Sequence, residues 1–202
     1  MEFILYFKLL IILLFGLIWI SLVALHRLKK KKSLVYLLFL SIFYAYLFKV
    51  LDYTLFQFQS LLFLKYFVPG LMLQGQAAGE SMNLIPLVTL TLGDVKTSLL
   101  NILLMVPFGF GLPFITDLRM KNVVQIGMLL SIGIEVLQFI SGLVANMTFR
   151  VADVNDVIFN TLGVTIGYVV FIGLVRICRR ICHSRETSTN PLLRYINERP
   201  QI

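Results

Sequence analysis

The chain is poor in the residues that soluble enzymes draw on most. In 202 residues there are two histidines, two cysteines and one tryptophan, and Asp and Glu together number 10. The cysteines, Cys178 and Cys182, lie four apart in a basic segment. They make no disulfide framework and are too few for a closed zinc site. Reduced thiols at a helix end is the reading adopted, with a metal site that also uses His183 as its alternative. No HExxH, Gly-rich phosphate loop, Ser–His or Cys–His nucleophile pair occurs, so no cofactor or metal is expected and no catalytic residue is assigned. An internal repeat is also lacking, which leaves the inverted-repeat transporter plan without support. Charge is scarce as well, at 14% of residues against 58% hydrophobic, with a mean hydropathy of +0.89. A soluble domain of this length could not hide that much apolar surface.

What the chain has instead is long apolar runs. Several approach the roughly 20 residues that cross a hydrocarbon core about 30 Å thick. The expected fold is all-α: a polytopic membrane protein of five spans. The first two, Phe3 to about Leu25 and Leu34 to about Val50, fill residues 1–56. The first starts with Glu2 rather than a basic region and ends in a cluster from His26 to Lys32. It therefore reads as a retained helix, not a signal peptide. Lys49 and Asp52, three apart, can pair across a turn. Residues 57–96 read as an extracellular or interfacial loop, and the aromatic-rich 53–68 either lies in the interface plane or prolongs the second helix. Spans three to five run from about Thr97 to Ile115, Asn122 to Ile140 and Val154 to Ile177. Pro107 should kink the third. Residues 178–202 read as a mobile, cytoplasmic polar tail.

Orientation follows from Lys and Arg. One set of loops carries Arg27, Lys29 to Lys32, Arg119, Lys121, Arg176, Arg179, Arg180 and Arg185; the other carries Lys49, Lys65, Lys96 and Arg150. With the richer set inside, the amino terminus is outside and the carboxy terminus inside. The net charge of +8 thus reflects membrane orientation. No basic helix interleaved with aromatics stands apart from the spans, and no nucleic acid is expected as a partner.

The stretch Arg150 to Gly167 organises the rest. As a helix it sets Asp153, Asp156, Asn160, Gly163 and Gly167 on one stripe, at i, i+3, i+7, i+10 and i+14. Ser131, Glu135 and Gln138 share a face of the fourth span at i, i+4 and i+7. At about 1.5 Å per residue, Asn101 lies roughly 6 Å and Glu135 roughly 10 Å below the outer face. Polar groups from several stretches thus converge near one leaflet. An acid at the centre of a span costs about 2.5–3.5 kcal/mol. That cost can be offset by pairing Glu135 or Asp156 with Arg150, or by bonds to Asn101 and Asn160. Interhelical bonds of that kind are worth about 0.6–2 kcal/mol each and can be purely structural. An intramembrane carboxylate is otherwise a functional candidate. Gly163 and Gly167, four apart, are expected to let helices approach closely.

The segments Asn83-Leu84-Ile85-Pro86, Asn101 to Gly109, Ser131 to Gln138 and Arg150 to Gly163 resemble the VanZ-like family, in order, over a stretch taken as residues 83–177 with three spans. Leu87 stands where the family has Phe and Asn155 where it has Asp, which thins any acidic cluster for a divalent metal. The resemblance implies a multi-pass protein of the bacterial plasma membrane, in a group named for resistance to teicoplanin-type glycopeptide antibiotics, without supplying a reaction.

The function expected is binding, at the outer leaflet, of a lipid-linked cell-wall (peptidoglycan) precursor or an acylated glycopeptide, with membrane lipids as neighbours. Asn101, Glu135, Gln138, Arg150, Asp153, Asp156 and Asn160 are the ligand-binding candidates. Arg150 would take a phosphate or carboxylate in its fork. The alternatives are a membrane enzyme acting on a lipid head group through Glu135 and Asp156, which needs their pKa values driven apart, and a small transporter. The reading leans against catalysis.

Overall fold

The computed structural model describes residues 2–56, 82–83, 85–86, 92–145, 152–183 and 190–199. Helix α1 spans Glu2–Ala24 and α2 Leu34–Leu51, each prolonged by a π-helical segment, Leu25–Lys29 and Asp52–Phe56. Then follow β1 (Met82–Asn83), α3 (Leu92–Ile115), α4 (Met120–Ala145), β2 (Ala152–Asp153), α5 (Val154–His183) and α6 (Pro191–Asn197). Among the described residues, five helices are long and apolar enough to cross a bilayer.

Local chemistry sets the breaks. After the basic cluster, Lys31 takes a left-handed backbone, φ 49°, and Ser33 restarts the helix by accepting the Tyr36 N–H at 3.2 Å. That is an N-cap, which satisfies one of the orphan donors of the first turn. Lys49 and Asp52 pair at 3.6 Å as expected. Helix α3 runs on through Pro107 and Pro113. The Tyr46 hydroxyl donates at 2.8 Å to the Leu104 carbonyl, next to the Leu103 carbonyl, which Pro107 leaves without its usual N–H.

The centre of the bundle is α5, whose most extensive interface is with α3. Three glycines bring the two backbones together. A Cβ at Gly163 would overlap the Ile102 carbonyl, at Gly167 the Val106 carbonyl, and at Gly109 the Val164 carbonyl. Helix α4 packs on the other side of α5, and α2 on α3. A core of Phe43, Met105, Phe108, Val123, Val164 and Tyr168 fills the space between them. Helix α1 adds almost nothing to this core and leaves most of its apolar side chains exposed, Leu9, Leu13, Leu17 and Ile20 among them. Two side chains tie it to α2: Trp19 donates to Ser41 Oγ at 3.1 Å, and Tyr44 to the Phe15 carbonyl at 2.8 Å.

The structure departs from the sequence reading at the carboxy-terminal end. Helix α5 continues past Ile177 to His183, and part of the polar tail is a docked helix. Asn190 caps α6 by accepting the Leu192 N–H at 2.9 Å, and Pro191 opens it. Tyr195 and Ile196 are buried against α2, α3 and α5. The Tyr195 hydroxyl donates at 2.5 Å to the Phe114 carbonyl, and Arg199 reaches the same oxygen and Asp117, both at 3.3 Å. Phe114 lies one residue from the end of α3, where carbonyls lack intrahelical partners. The tail therefore caps α3 and holds one of its aromatic rings in a stack: Phe39 lies 4.3 Å from Phe114 and 5.6 Å from Tyr195. Cys178 is buried in the same cluster. The two-residue strands β1 and β2, which an all-α reading does not contain, pair in parallel, Met82 with Ala152 and Asn83 with Asp153. The 53–68 question is answered only as far as Phe56, where the helical path still continues; the remainder lies outside the described residues.

Candidate polar site at the start of helix α5

Helix α5 opens at Asp153. Its carboxylate accepts the Asn155 N–H at 2.8 Å, capping the helix, and the Asn83 Nδ2–H at 3.1 Å. The Asn83 side-chain oxygen accepts the Ile85 N–H at 3.2 Å. The Asn83-x-x-Pro86 segment is thereby fastened to the start of α5 by a strand bridge and a side-chain bond. The Asp153 N–H donates in turn to Glu135 Oε2 at 3.1 Å. One half-buried carboxylate thus meets the positive end of a helix, where an anion is favoured.

One turn on, Asp156 faces α3 and accepts from Asn101 Nδ2 at 2.5 Å, with both residues buried. A further turn on, Asn160 faces α4 and donates to Ser131 Oγ at 2.8 Å, and Ser131 has no exposed surface. At the other end of the same α4 face, Gln138 Nε2 donates at 2.9 Å to the carbonyl of Thr54, in the π-helical extension of α2. Below Asn160 the stripe continues as Gly163 and Gly167, packed against the α3 backbone. The polar groups therefore form a buried cluster, called the well below, between α3, α4, α5 and the end of α2, bounded on one side by the glycine packing of α5 on α3.

Among the described residues, two buried oxygens in this well have no hydrogen-bond partner: Gln138 Oε1 and Asn160 Oδ1, on side chains 6% and 5% exposed. Such groups are costly to bury unpaired. Apolar space adjoins the well. A slot of about 180 Å³ is lined by Ile132, Val136, Phe139, Val154 and Val157, with Glu135 and Asp153 at its edge. A second cavity of about 610 Å³ runs from Asn101 along Tyr53, Thr97, Leu100, Leu103 and Leu104.

Six of the seven sequence candidates, Asn101, Glu135, Gln138, Asp153, Asp156 and Asn160, come together here. The seventh, Arg150, lies outside the described residues. Sequence reasoning missed Asn83 and Ser131 as members of the site. Asn83 carried a motif signal but no depth, and Ser131 was noted only as sharing a face with Glu135. Thr54 takes part through its backbone carbonyl, which no side-chain pattern could reveal.

Five helices long and apolar enough to span a bilayer, three of which carry the side chains of a buried polar cluster, define a polytopic helical membrane protein. A family model described as VanZ/LLP1 matches residues 51–178, more than half of the chain, and the protein belongs to the VanZ-like family. Comparison with curated proteins and with solved structures gave no match.

Proposed function

We propose that this VanZ-like protein binds the head group of a lipid-borne molecule, a lipid-linked cell-wall precursor or an acylated glycopeptide, in the well at the start of α5. In a bacterial plasma membrane, on the charge-based orientation, that end faces outward. Binding there could contribute to glycopeptide resistance. The observation that carries the reading is the convergence of Asn101, Glu135, Gln138, Asp156 and Asn160 from three helices in one well beside apolar cavities. Polar groups for a head beside apolar slots for a chain suit an amphiphile. The glycine packing favours binding over the transport alternative, since the α3 and α5 backbones meet directly below Asn160.

The test is binding of a lipid-linked precursor or a lipoglycopeptide to the purified protein, with Glu135→Gln and Asp156→Asn alongside. Each variant is expected to weaken binding by about tenfold or more, the loss of one charge-assisted hydrogen bond. Unchanged affinity in both would remove the site from consideration.

A further inference from the structure

The two unpartnered oxygens say which chemistry the well can accept. Gln138 is fixed in orientation, because only its NH2 end can bond the Thr54 carbonyl. Its Oε1 is therefore a buried acceptor in need of a donor. Asn160 turns its NH2 to Ser131 Oγ in this structure, which leaves Oδ1 without a donor among the described residues. The two amides sit at different levels: Asn160 at Ser131, and Gln138 seven residues along α4. At the helical rise that separates them by about 10 Å. A hydrogen bond spans only about 3 Å, so one hydroxyl or one ammonium cannot serve both.

A phosphate group cannot supply what these oxygens lack, since its ionised oxygens only accept. A single ammonium has donors enough, but all on one atom. A sugar or sugar-like head carries several neutral hydroxyls spread over that distance, each able to donate and accept. Resting on the binding reading above, we propose that the well takes a glycosyl head group. Its hydroxyls donate to Gln138 Oε1 and Asn160 Oδ1, and its phosphate, where it has one, stays outside.

The experiment measures binding of the full chain in nanodiscs to lipids with identical acyl chains: diglucosyl diacylglycerol, phosphatidic acid, phosphatidylethanolamine and plain diacylglycerol. The glycolipid is expected to bind about tenfold more tightly than any of the others, the combined value of two modest net hydrogen bonds. Gln138→Leu and Asn160→Leu should each reduce the preference for the glycolipid over diacylglycerol, since each removes one of the two acceptors. If either variant fails to fold, the wild-type ranking alone decides. Equal affinity for all four lipids would mean that ordered water satisfies the two oxygens, and the inference would be wrong. It would also be wrong if both variants kept the sugar preference. Glu135→Gln separates the two levels of failure: a lipid affinity that falls in this variant without any preference for sugar retains the binding site and removes only its glycosyl specificity. An affinity indifferent to Glu135→Gln and Asp156→Asn removes the site itself.

Discussion

Asp156 is a buried acid held by an amide from another helix, and that bond gives the site its most direct test of energetics. Asn101→Leu keeps the volume and removes the donor. Stripping one partner from a buried polar or charged group costs about 1–3 kcal/mol. The variant should melt several degrees lower in detergent, whereas Asp156→Asn, with the amide of Asn101 still opposite it, should lose less. Equal melting of Asn101→Leu and wild type would show that the bond is energetically idle. The glycines give a second comparison at this scale. Gly163→Ala places a Cβ against the Ile102 carbonyl, which is backbone and cannot turn aside. Overpacking of this kind costs about 1–3 kcal/mol. Gly133→Ala meets nothing within 4 Å and gains about 1 kcal/mol of helix propensity. Thermal melts should therefore move in opposite directions for the two variants; a shared direction would mean that the close approach of α3 and α5 is not what Gly163 provides.

At the scale of elements, α6 is the part of the fold with the least signal in the sequence. Leu192, Leu193, Tyr195 and Ile196 are too few for an apolar run, and they sit among prolines and charges that read as a free tail. Only the partners reveal their role, since Phe39, Phe114 and Phe171 come from three different spans. The spans themselves were legible, because a bilayer imposes a length that composition alone reveals. So was the α5 stripe from Asp156 onward, because the helical period fixes which residues share a face; Asp153, read as its first member, lies in β2 and caps the helix instead. Which neighbour each one meets was not legible: Asp156 finds Asn101, and Asn160 finds Ser131, by a register between helices that no single segment encodes. The β1–β2 bridge is two residues long, below any periodic signal. The α6 clasp also makes a pH prediction. Burial is the larger cause that pushes the Tyr195 phenol up to about 12, against the lowering effect of Arg199. The folded protein thus favours the neutral phenol, while the unfolded chain ionises near the ordinary value of about 10. Tyr195 therefore stabilises fully below pH 10 and loses its contribution as the pH rises from 10 to about 12. Tyr195→Phe should melt lower than wild type by a constant gap at pH 7 to 9, worth about 1 kcal/mol for the lost bond to Phe114. That gap should narrow between pH 10 and 12. A gap that stays constant through this window would mean that the phenol does not ionise differently in the two states.

For the whole molecule, the decisive quantity is which way the bundle sits in the bilayer. The well lies at the end of α5 that begins at Asp153, and α6 clasps the opposite end, where α3 finishes. Lys and Arg are concentrated at the α6 end: the cluster Lys29 to Lys32, Arg119 and Lys121 between α3 and α4, and Arg176, Arg179 and Arg180 late in α5. Moving such charges outward is opposed during insertion, so this end should stay in the cytoplasm and the well should open to the exterior. In a cysteine-free background, Lys96→Cys should react with a membrane-impermeant maleimide in intact cells. Lys31→Cys should react only after the membrane is permeabilised. Both positions are exposed, so a failure to label cannot be blamed on burial in the protein. The reverse pattern would put the well on the cytoplasmic side, where neither an extracellular glycopeptide nor an externally displayed cell-wall precursor could reach it. The polar contacts would stand unchanged, but their ligand would have to be sought among cytoplasmic-leaflet lipids.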